Sequence, residues 1–487
     1  MSGTTPRYLI VHGHFYQPPR QSPWTGLISP EHGAAPFRNW NERILSECYL
    51  ANSRAHTMDG PLVHIRNNYE SLSFDFGPTL LSWLELHGKS AYRAIVRSDQ
   101  LSRAARDGCG NAIAQSYHHS ILPLLSARDR DVQIAWGIED FKFRFGRLPE
   151  AMWLPECAAD DDTLRALAKA AMKFVILAPW QGEFRVRDGE QETGAGPFLW
   201  RDGDAQLSVF RFDRELAASL AFGDGLTDGA SLADQIEHRA MNLGSGGAVL
   251  IATDGETFGH HKRNGAAELA RALEILEGRE TLKILNPAQY LARCKPVGTF
   301  TINRPTSWSC LHGVERWRSN CGCRTDRNTQ QEWRYPLRAA VAFVKAQVDL
   351  LYDRLAPELC ADPGSALTES IRLAIDANPA TAEEFYFRHK ALGEQKQSRL
   401  ARLFEMQRAA HAAFTSCAWF FDDFGGLEGR IALRWAARAV EIAAEFAPSA
   451  EREVVARLRE IRSNRREISD AATLYLSLRT REARGKV

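Results

Sequence analysis

No stretch of this 487-residue chain approaches the roughly 20 consecutive apolar residues of a membrane-spanning helix. No apolar signal region precedes the first strand-like run at Tyr8 either. Membrane insertion and export are therefore not expected, and a cytoplasmic location is. An excess of one charge is also missing: 61 Lys and Arg face 60 Asp and Glu, for a net charge of +1. That balance gives no footprint for nucleic acid or an anionic membrane and leaves room for a neutral substrate such as a sugar. Internal repeats and long low-complexity linkers are absent. The nine cysteines are odd in number and scattered, which argues for free thiols rather than a disulfide framework. Cys310 and the Cys321-Gly322-Cys323 run invite a zinc reading, but the spacing is tighter than the usual gap and no matching second pair follows. No metal and no cofactor are expected.

With 44% hydrophobic and 25% charged residues the chain can bury a sizeable core, and its length exceeds one ordinary domain. Strand-like runs recur at 8–11, 111–115, 132–135, 174–177, 207–212, 248–253 and 282–285. Helical spacing appears between several of them, as at 160–172, where Leu164, Leu167, Ala168 and Ala171 recur behind the N-capping run Asp160, Asp161 and Asp162. Strands alternating with helices predict an α/β fold with a parallel sheet. Near residue 335 the texture changes: only 5 of 21 prolines and 6 of 35 glycines lie beyond it, so turns thin out. Ala-, Leu-, Arg- and Glu-rich stretches at 399–414 and 427–446 predict a helical bundle. The expected division is 1–300, a Trp-rich linking segment at 301–335, and a bundle at 336–487.

Two segments about a hundred residues apart carry most of the chemistry: Trp153-Leu154-Pro155-Glu156-Cys157, and Asp254-Gly255-Glu256-Thr257-Phe258-Gly259-His260-His261. Each places a carboxylate just past an apolar run, where a buried strand would open into a loop. Two carboxylates held apart among aromatic rings are the equipment for cleaving a glycosidic bond. The first strand leads into His12-Gly13-His14-Phe15-Tyr16-Gln17-Pro18-Pro19-Arg20. His12 and His14 share a strand face because side chains alternate with period two, and the prolines force a loop.

This pattern resembles glycoside hydrolase family 57, retaining enzymes that act mainly on α-glucans. His12, His14, Gln17 and Pro18 are similar to its first motif, with two extra residues before the glutamine. Trp153 and Glu156 match its third motif, and Asp254, Glu256, Phe258, Gly259 and His260 its fourth. The second motif keeps Tyr117-His118 and Ile121-Leu122-Pro123 but lacks the glutamate common there. The resemblance implies that Glu156 is the nucleophile and Asp254 the acid/base. It implies an incomplete (β/α)7 barrel followed by an α-helical bundle, with an α-glucan or maltooligosaccharide as substrate. His12, His14, Gln17, Tyr117, His118, Trp153, Phe258, His260 and His261 are then candidate substrate contacts.

Trp308, Trp317 and Trp333 crowd the linking segment among polar residues, and Trp faces stack on sugar rings. Trp308 and Trp317 are added to the substrate contacts, as is Trp419 from the run Trp419-Phe420-Phe421-Asp422-Asp423, read as a stacking wall that the bundle projects onto the cleft. The segment resembles the uncharacterised C-terminal extension of one family 57 subgroup. Other readings stay open. Read alone, Asp254 is a helix cap, and Glu256 competes with it for the acid/base role. His12-x-His14 with a late Asp also fits a metal-dependent amidohydrolase or deacetylase. A barrel that binds glucan without turning it over is the third possibility. Oligomeric state, linkage and acceptor are not legible.

Overall fold

A computed structural model describes residues 6–59, 61–189 and 193–483. Strand β1 (Arg7–Phe15) is the hub of the first half. Its apolar run is buried on both faces, as expected of a parallel strand covered on two sides. Seven further strands run parallel to their neighbours: β2 (Ser73–Phe76), β3 (Ala114–Gln115), β4 (Met152–Trp153), β5 (Phe174–Leu177), β6 (Ala205–Arg211), β7 (Ala248–Asp254) and β8 (Leu282–Ile284). On one edge β1 pairs with β7, in a register that sets His14 opposite Asp254. On its other edge it pairs with β8 near its start and β2 near its end. β3 pairs with β4, and β5 with β6.

Single parallel bridges, Phe74 to Ala112 and Ala151 to Phe174, link these ladders. Between β6 and β7 the segment Gly194-Ala195 intervenes. There Arg211 N–H donates to the Ala195 carbonyl and Ala195 N–H to the Ala248 carbonyl. β6 also enters a mixed sheet with the strands Phe198–Asp202, Gly298–Thr301 and Glu183–Val186. Among the described residues the fold is mixed α/β, in separate ladders, and no closed barrel is seen.

Two expectations change here. Residues 132–135 are not a strand; they lie inside helix α1 (Ala127–Phe145), whose start is capped by Ser126 Oγ accepting from Asp129 N–H at 3.1 Å. Helix α1 is buried on more than one face, so its apolar residues do not follow a single stripe, and Val132 and Ile134 imitate strand alternation. Strands β2 and β4 were not anticipated because they are only four and two residues long. Helix α2 (Asp161–Lys169) starts as expected, with Asp160 accepting from Thr163 N–H at 2.8 Å.

The second half is helical. Helices α3 (Arg334–Leu355), α4 (Glu394–Ala412), α5 (Gly429–Ala443) and α6 (Ala471–Ala483) are its longest members. Val341, Val344 and Val348 of α3, Leu400, Leu403 and Phe404 of α4, and Ala436, Ala437 and Val440 of α5 line its core at helical spacing. That core also takes in Tyr117, Val132 and Trp136 from the first half. Trp136 is fully buried and donates its indole N–H to the Leu367 carbonyl at 2.8 Å. Helix α1 therefore serves both cores. A second joint is an antiparallel bridge from Ser120 to Thr415, with Ser416 N–H donating to the His119 carbonyl at 2.9 Å.

Candidate active site

Strand β4 ends at Trp153, and Leu154-Pro155 turns the chain into Glu156. Glu156 (φ 58°, ψ 23°) and Cys157 (φ 47°) both occupy the left-handed region. For residues other than glycine this costs on the order of 1–3 kcal/mol each, so the surroundings must hold them. They do: Gln181 donates to the Cys157 carbonyl at 2.5 Å, and Trp308 N–H donates to the Glu156 carbonyl at 3.0 Å. Ala159 and Thr306 exchange backbone hydrogen bonds, which ties the two loops together. The Ser309 hydroxyl (2.7 Å) and the Trp308 indole N–H (3.2 Å) both donate to Oε2 of Glu156. No hydrogen bond engages the other carboxylate oxygen among the described residues. Burial raises the Glu156 pKa, its Ser309 hydrogen bond opposes this, and the charge of Asp254 adds to it.

Asp254 is the last residue of β7, at the same carboxyl end of the parallel strands. Gly255 follows because a Cβ there would sit 2.3 Å from the Phe15 ring. Asp254 is exposed to solvent although protein crowds it, the situation of a group lining a cleft. Its pKa is raised, first by desolvation and further by Asp75, with His14 and His261 opposing; solvent access damps the size of that shift. No hydrogen bond engages its carboxylate among the described residues. Glu256 differs. It is buried, and its Oε1 accepts from Tyr49 Oη at 2.7 Å and Tyr16 N–H at 3.2 Å. Burial pushes its pKa up to about 7 against the Tyr49 hydrogen bond. Glu256 is thus anchored by hydrogen bonds, while Asp254 is exposed and carries none among the described residues.

Between the acids lies a buried platform of histidines. Asp75 of β2 is fully buried and accepts from His12 Nε2 at 3.1 Å and from His14 Nδ1 at 2.8 Å. Burial alone would lower the His14 pKa, but the Asp75 carboxylate carries it to about 9, so the imidazole is cationic at neutral pH. Its Nε2–H then points at Nε2 of His119, 3.1 Å away. Burial and the His14 charge hold His119 well below its ordinary pKa, so it is neutral and its Nδ1–H is directed at Ser416 Oγ, 2.6 Å away. His119 also has a positive φ of 55°. Trp153 stacks on His12 and His14 at 4.9 and 5.0 Å, and Trp308 stands edge-on to Trp153 at 5.3 Å.

The structure thus gathers Glu156, Asp254, His12, His14, Trp153 and Trp308, with His261 exposed beside Asp254. Other candidates are engaged elsewhere in the fold. Gln17 is buried and its Oε1 accepts from Arg20, which is ion-paired with Glu31 and Glu428; this is a joint with the bundle. Tyr117 and His118 are buried against Trp136, and the His118 ring contacts Gln133. The adjacent His119 is the one that reaches the site. Phe258 is fully buried, and its carbonyl accepts from Asn52. His260 lies 2.5 Å from Glu47 and edge-on to Trp40. Trp317 is fully buried in the bundle core.

Trp419 is fully buried as well, with its indole N–H donated to the Arg334 carbonyl, so it cannot stack on a sugar. The Asp422 and Asp423 carboxylates beyond it receive hydrogen bonds from the loops at Thr325 and Asn464. The groups the sequence did not reveal are Asp75, His119, Ser309 and a further aromatic pair. Trp180, 43% exposed, stands edge-on to Phe212 at 5.8 Å, and Phe212 edge-on to Trp308 at 6.3 Å. Asp75 did carry a signal, as an acid alternating with Phe74 and Phe76.

Residues 77–303 match the model for glycosyl hydrolase family 57. Residues 330–483 match a domain of unknown function, DUF3536. The fold of the chain is similar to an exo-type maltose-forming amylase from Pyrococcus sp. ST04, at 15% identity and a TM-score of 0.66, covering 98% of this chain and 83% of that one. It is also similar to a family 57 branching enzyme from Thermococcus kodakaraensis, at 15% identity and a TM-score of 0.55, covering 99% and 96%. In sequence it is 22% identical over 188 residues to alpha-amylase 1 of Dictyoglomus thermophilum, covering 39% of this chain. The matched stretch spans about a quarter (26%) of that relative. No helix among the described residues is long and apolar enough to cross a membrane.

Proposed function

We propose that this protein is a retaining glycosidase or transglycosylase that acts on α-glucans through a covalent glycosyl-enzyme intermediate. One observation carries the reading. Glu156, held in a left-handed turn with one carboxylate oxygen bonded by Ser309 and Trp308, is near enough to Asp254, whose carboxylate is unbonded, to feel its charge, and both feel the cationic His14. In this reading the free oxygen of Glu156 attacks the anomeric carbon while protonated Asp254 donates to the departing oxygen. Esterification removes the Glu156 charge, and Asp254 then takes a proton from water or a sugar hydroxyl. The His14 cation stabilises Glu156 as a carboxylate, and Trp308 offers a face to the sugar beside it.

The family match and the amylase and branching-enzyme folds support an α-glucan as substrate. The parallel strands β1 to β7 are read as the incomplete (β/α)7 barrel of the family, with residues 1–300, 301–335 and 336–487 as catalytic unit, link and bundle. Direct hydrogen bonds from His12 and His14 to separate oxygens of Asp75 favour a charge-holding platform over a hydrolytic metal centre. Retention calls for the two carboxyl groups about 5–5.5 Å apart.

The test is incubation with maltooligosaccharides, amylose and glycogen, followed by chromatography and by mass spectrometry after a slow fluorinated glycosyl donor. A glycosyl adduct on Glu156 is expected. An active enzyme that is never labelled there, or a protein that binds glucan without turnover, overturns the reading.

A further inference from the structure

We propose that Cys310, His312, Cys321 and Cys323 form a structural zinc site that fixes the link between the strand-bearing half and the bundle. The sequence argued against this because the two cysteines of Cys321-Gly322-Cys323 are separated by one residue. The fold supplies what the spacing lacks. Gly322 has a φ of +83°, a turn that brings neighbouring thiols closer than an extended chain would. Cys310-x-His312 approaches from the other side, and Gly313 (φ +82°) turns the chain back immediately after the histidine. A Cβ at Gly313 would meet the Pro305 carbonyl at 2.4 Å, so this turn is built for glycine.

Three of the ligand-atom separations are already close to the edges of a zinc tetrahedron. All four lie within 4.8 Å of one another. Cys310 Sγ is 4.0 Å from Cys321 Sγ and 3.8 Å from Cys323 Sγ, and Cys323 Sγ is 3.5 Å from His312 Nδ1. Zinc bonds of about 2.3 Å to sulfur and 2.0–2.1 Å to nitrogen give tetrahedral edges of about 3.8 Å between sulfurs and about 3.6 Å between sulfur and nitrogen. The thiols are too far apart to be disulfides, whose sulfurs are about 2.05 Å apart. Three thiolates and one imidazole complete the coordination of zinc, with no open position, which marks a structural site.

A second observation comes from Arg334. It is 0% exposed, its Nη1 lies 4.0 Å from Cys321 Sγ, and its Nε and Nη2 have no hydrogen-bond partner. A buried guanidinium with unpaired N–H groups is costly unless a negative centre stands beside it. Zinc with three thiolates and a neutral imidazole carries a net charge of −1, a counter-charge on the side of the guanidinium that faces Cys321, in addition to that of Asp422. The site also has a position from which to matter. Cys310 follows Ser309, whose hydroxyl holds Glu156, so the ion fixes the loop that orients the carboxylate.

The test uses the full chain purified under reducing conditions without chelator. About one zinc per chain is expected by elemental analysis. Replacement by cobalt(II) should give intense near-ultraviolet thiolate-to-metal bands and the strong visible bands of tetrahedral cobalt. Cys323→Ser and His312→Ala, both at the open side of the site, should each weaken metal retention by about tenfold or more, while Cys294→Ser leaves it unchanged. Should these variants fail to fold, the cobalt spectrum of the unaltered protein still decides the matter. A chain that takes up no zinc when supplied with it, a cobalt spectrum without sulfur bands, a Cys310 disulfide, or undiminished metal in folded variants would each overturn the proposal.

Discussion

Three of the six non-glycine residues with positive φ, His119, Glu156 and Cys157, lie at the strand ends of the first half, whereas residues 330–483 contain one, Lys390. The same contrast holds for buried polar groups. The first half buries His12, His14, Asp75, His119 and Glu256 within one cluster. The bundle instead pairs many of its charges nearer the surface, as Arg438 does with Glu405 at 2.6 Å. Positive φ and the histidine–carboxylate cluster fall together at these strand ends, and the regular half supplies the rigid surroundings that such residues need. Removing a strained group should therefore change chemistry with little change in stability, and removing a joint should do the reverse.

The largest expected effect is on chemistry. Glu156→Gln should lower kcat by roughly 10^4-fold or more, the scale seen when one member of a concerted catalytic set is lost. Its thermal midpoint should stay near that of the parent protein; steady-state kinetics and calorimetry check both. Asp254→Asn should lower kcat by about 10^2- to 10^4-fold on natural glucans. From an activated donor it should form the adduct and release it slowly, a split that pre-steady-state kinetics can resolve. If Glu256→Gln shows this split and Asp254→Asn does not, the two acids have been assigned the wrong way round.

A joint should behave differently. Trp136→Ala removes a side chain that the first half sends into the bundle core and leaves the Leu367 carbonyl unpaired, so about 3–5 kcal/mol of stability should be lost. Urea denaturation measures that loss, and a second, separate transition would show that the two halves no longer unfold together.

A smaller effect follows from His14. Its folded-state pKa of about 9 is raised above the usual 6.5, so its contribution is fully present below pH 6.5 and fades as pH rises through about 9. That contribution is about 3 kcal/mol at most, because burial and Asp75 pull in opposite directions. Unfolding midpoints at pH 6 and pH 9.5 should differ more in the parent than in Asp75→Asn. The smallest effect is expected at Trp180. Trp180→Ala should raise KM for long glucans about threefold, leaving short substrates and stability unchanged, as suits an exposed stacking ring.

Much of the site was legible because the chemistry sits directly behind apolar runs: Glu156 after Trp153, Asp254 after the run 248–253, His12 and His14 on one strand face. What failed was orientation. Tyr117-His118-His119 reads as two equivalent histidines, and only the left-handed backbone at His119 turns that ring, rather than His118, toward His14. Trp317 and Trp419 looked like sugar platforms because aromatic content is the same whether a ring is buried or open. The thiol cluster was missed because gap counting assumes an extended chain, and Gly322 bends it. The helical half was read correctly as helical from its scarcity of glycine and proline, while the helix at 127–145 was misread locally because two cores share it.

The pairing of Ser120 with Thr415 and of His119 with Ser416 bears on whether this chain is modular. The histidine takes backbone and side-chain partners from the extension, although the two segments match separate family descriptions. A cut near residue 330 would leave His119 Nδ1–H and its carbonyl unpaired inside the recess. Exchanging the extension for that of another protein with the same two matched segments would do the same unless the Thr-Ser step were carried along. The two segments have to be inherited, and engineered, as a pair.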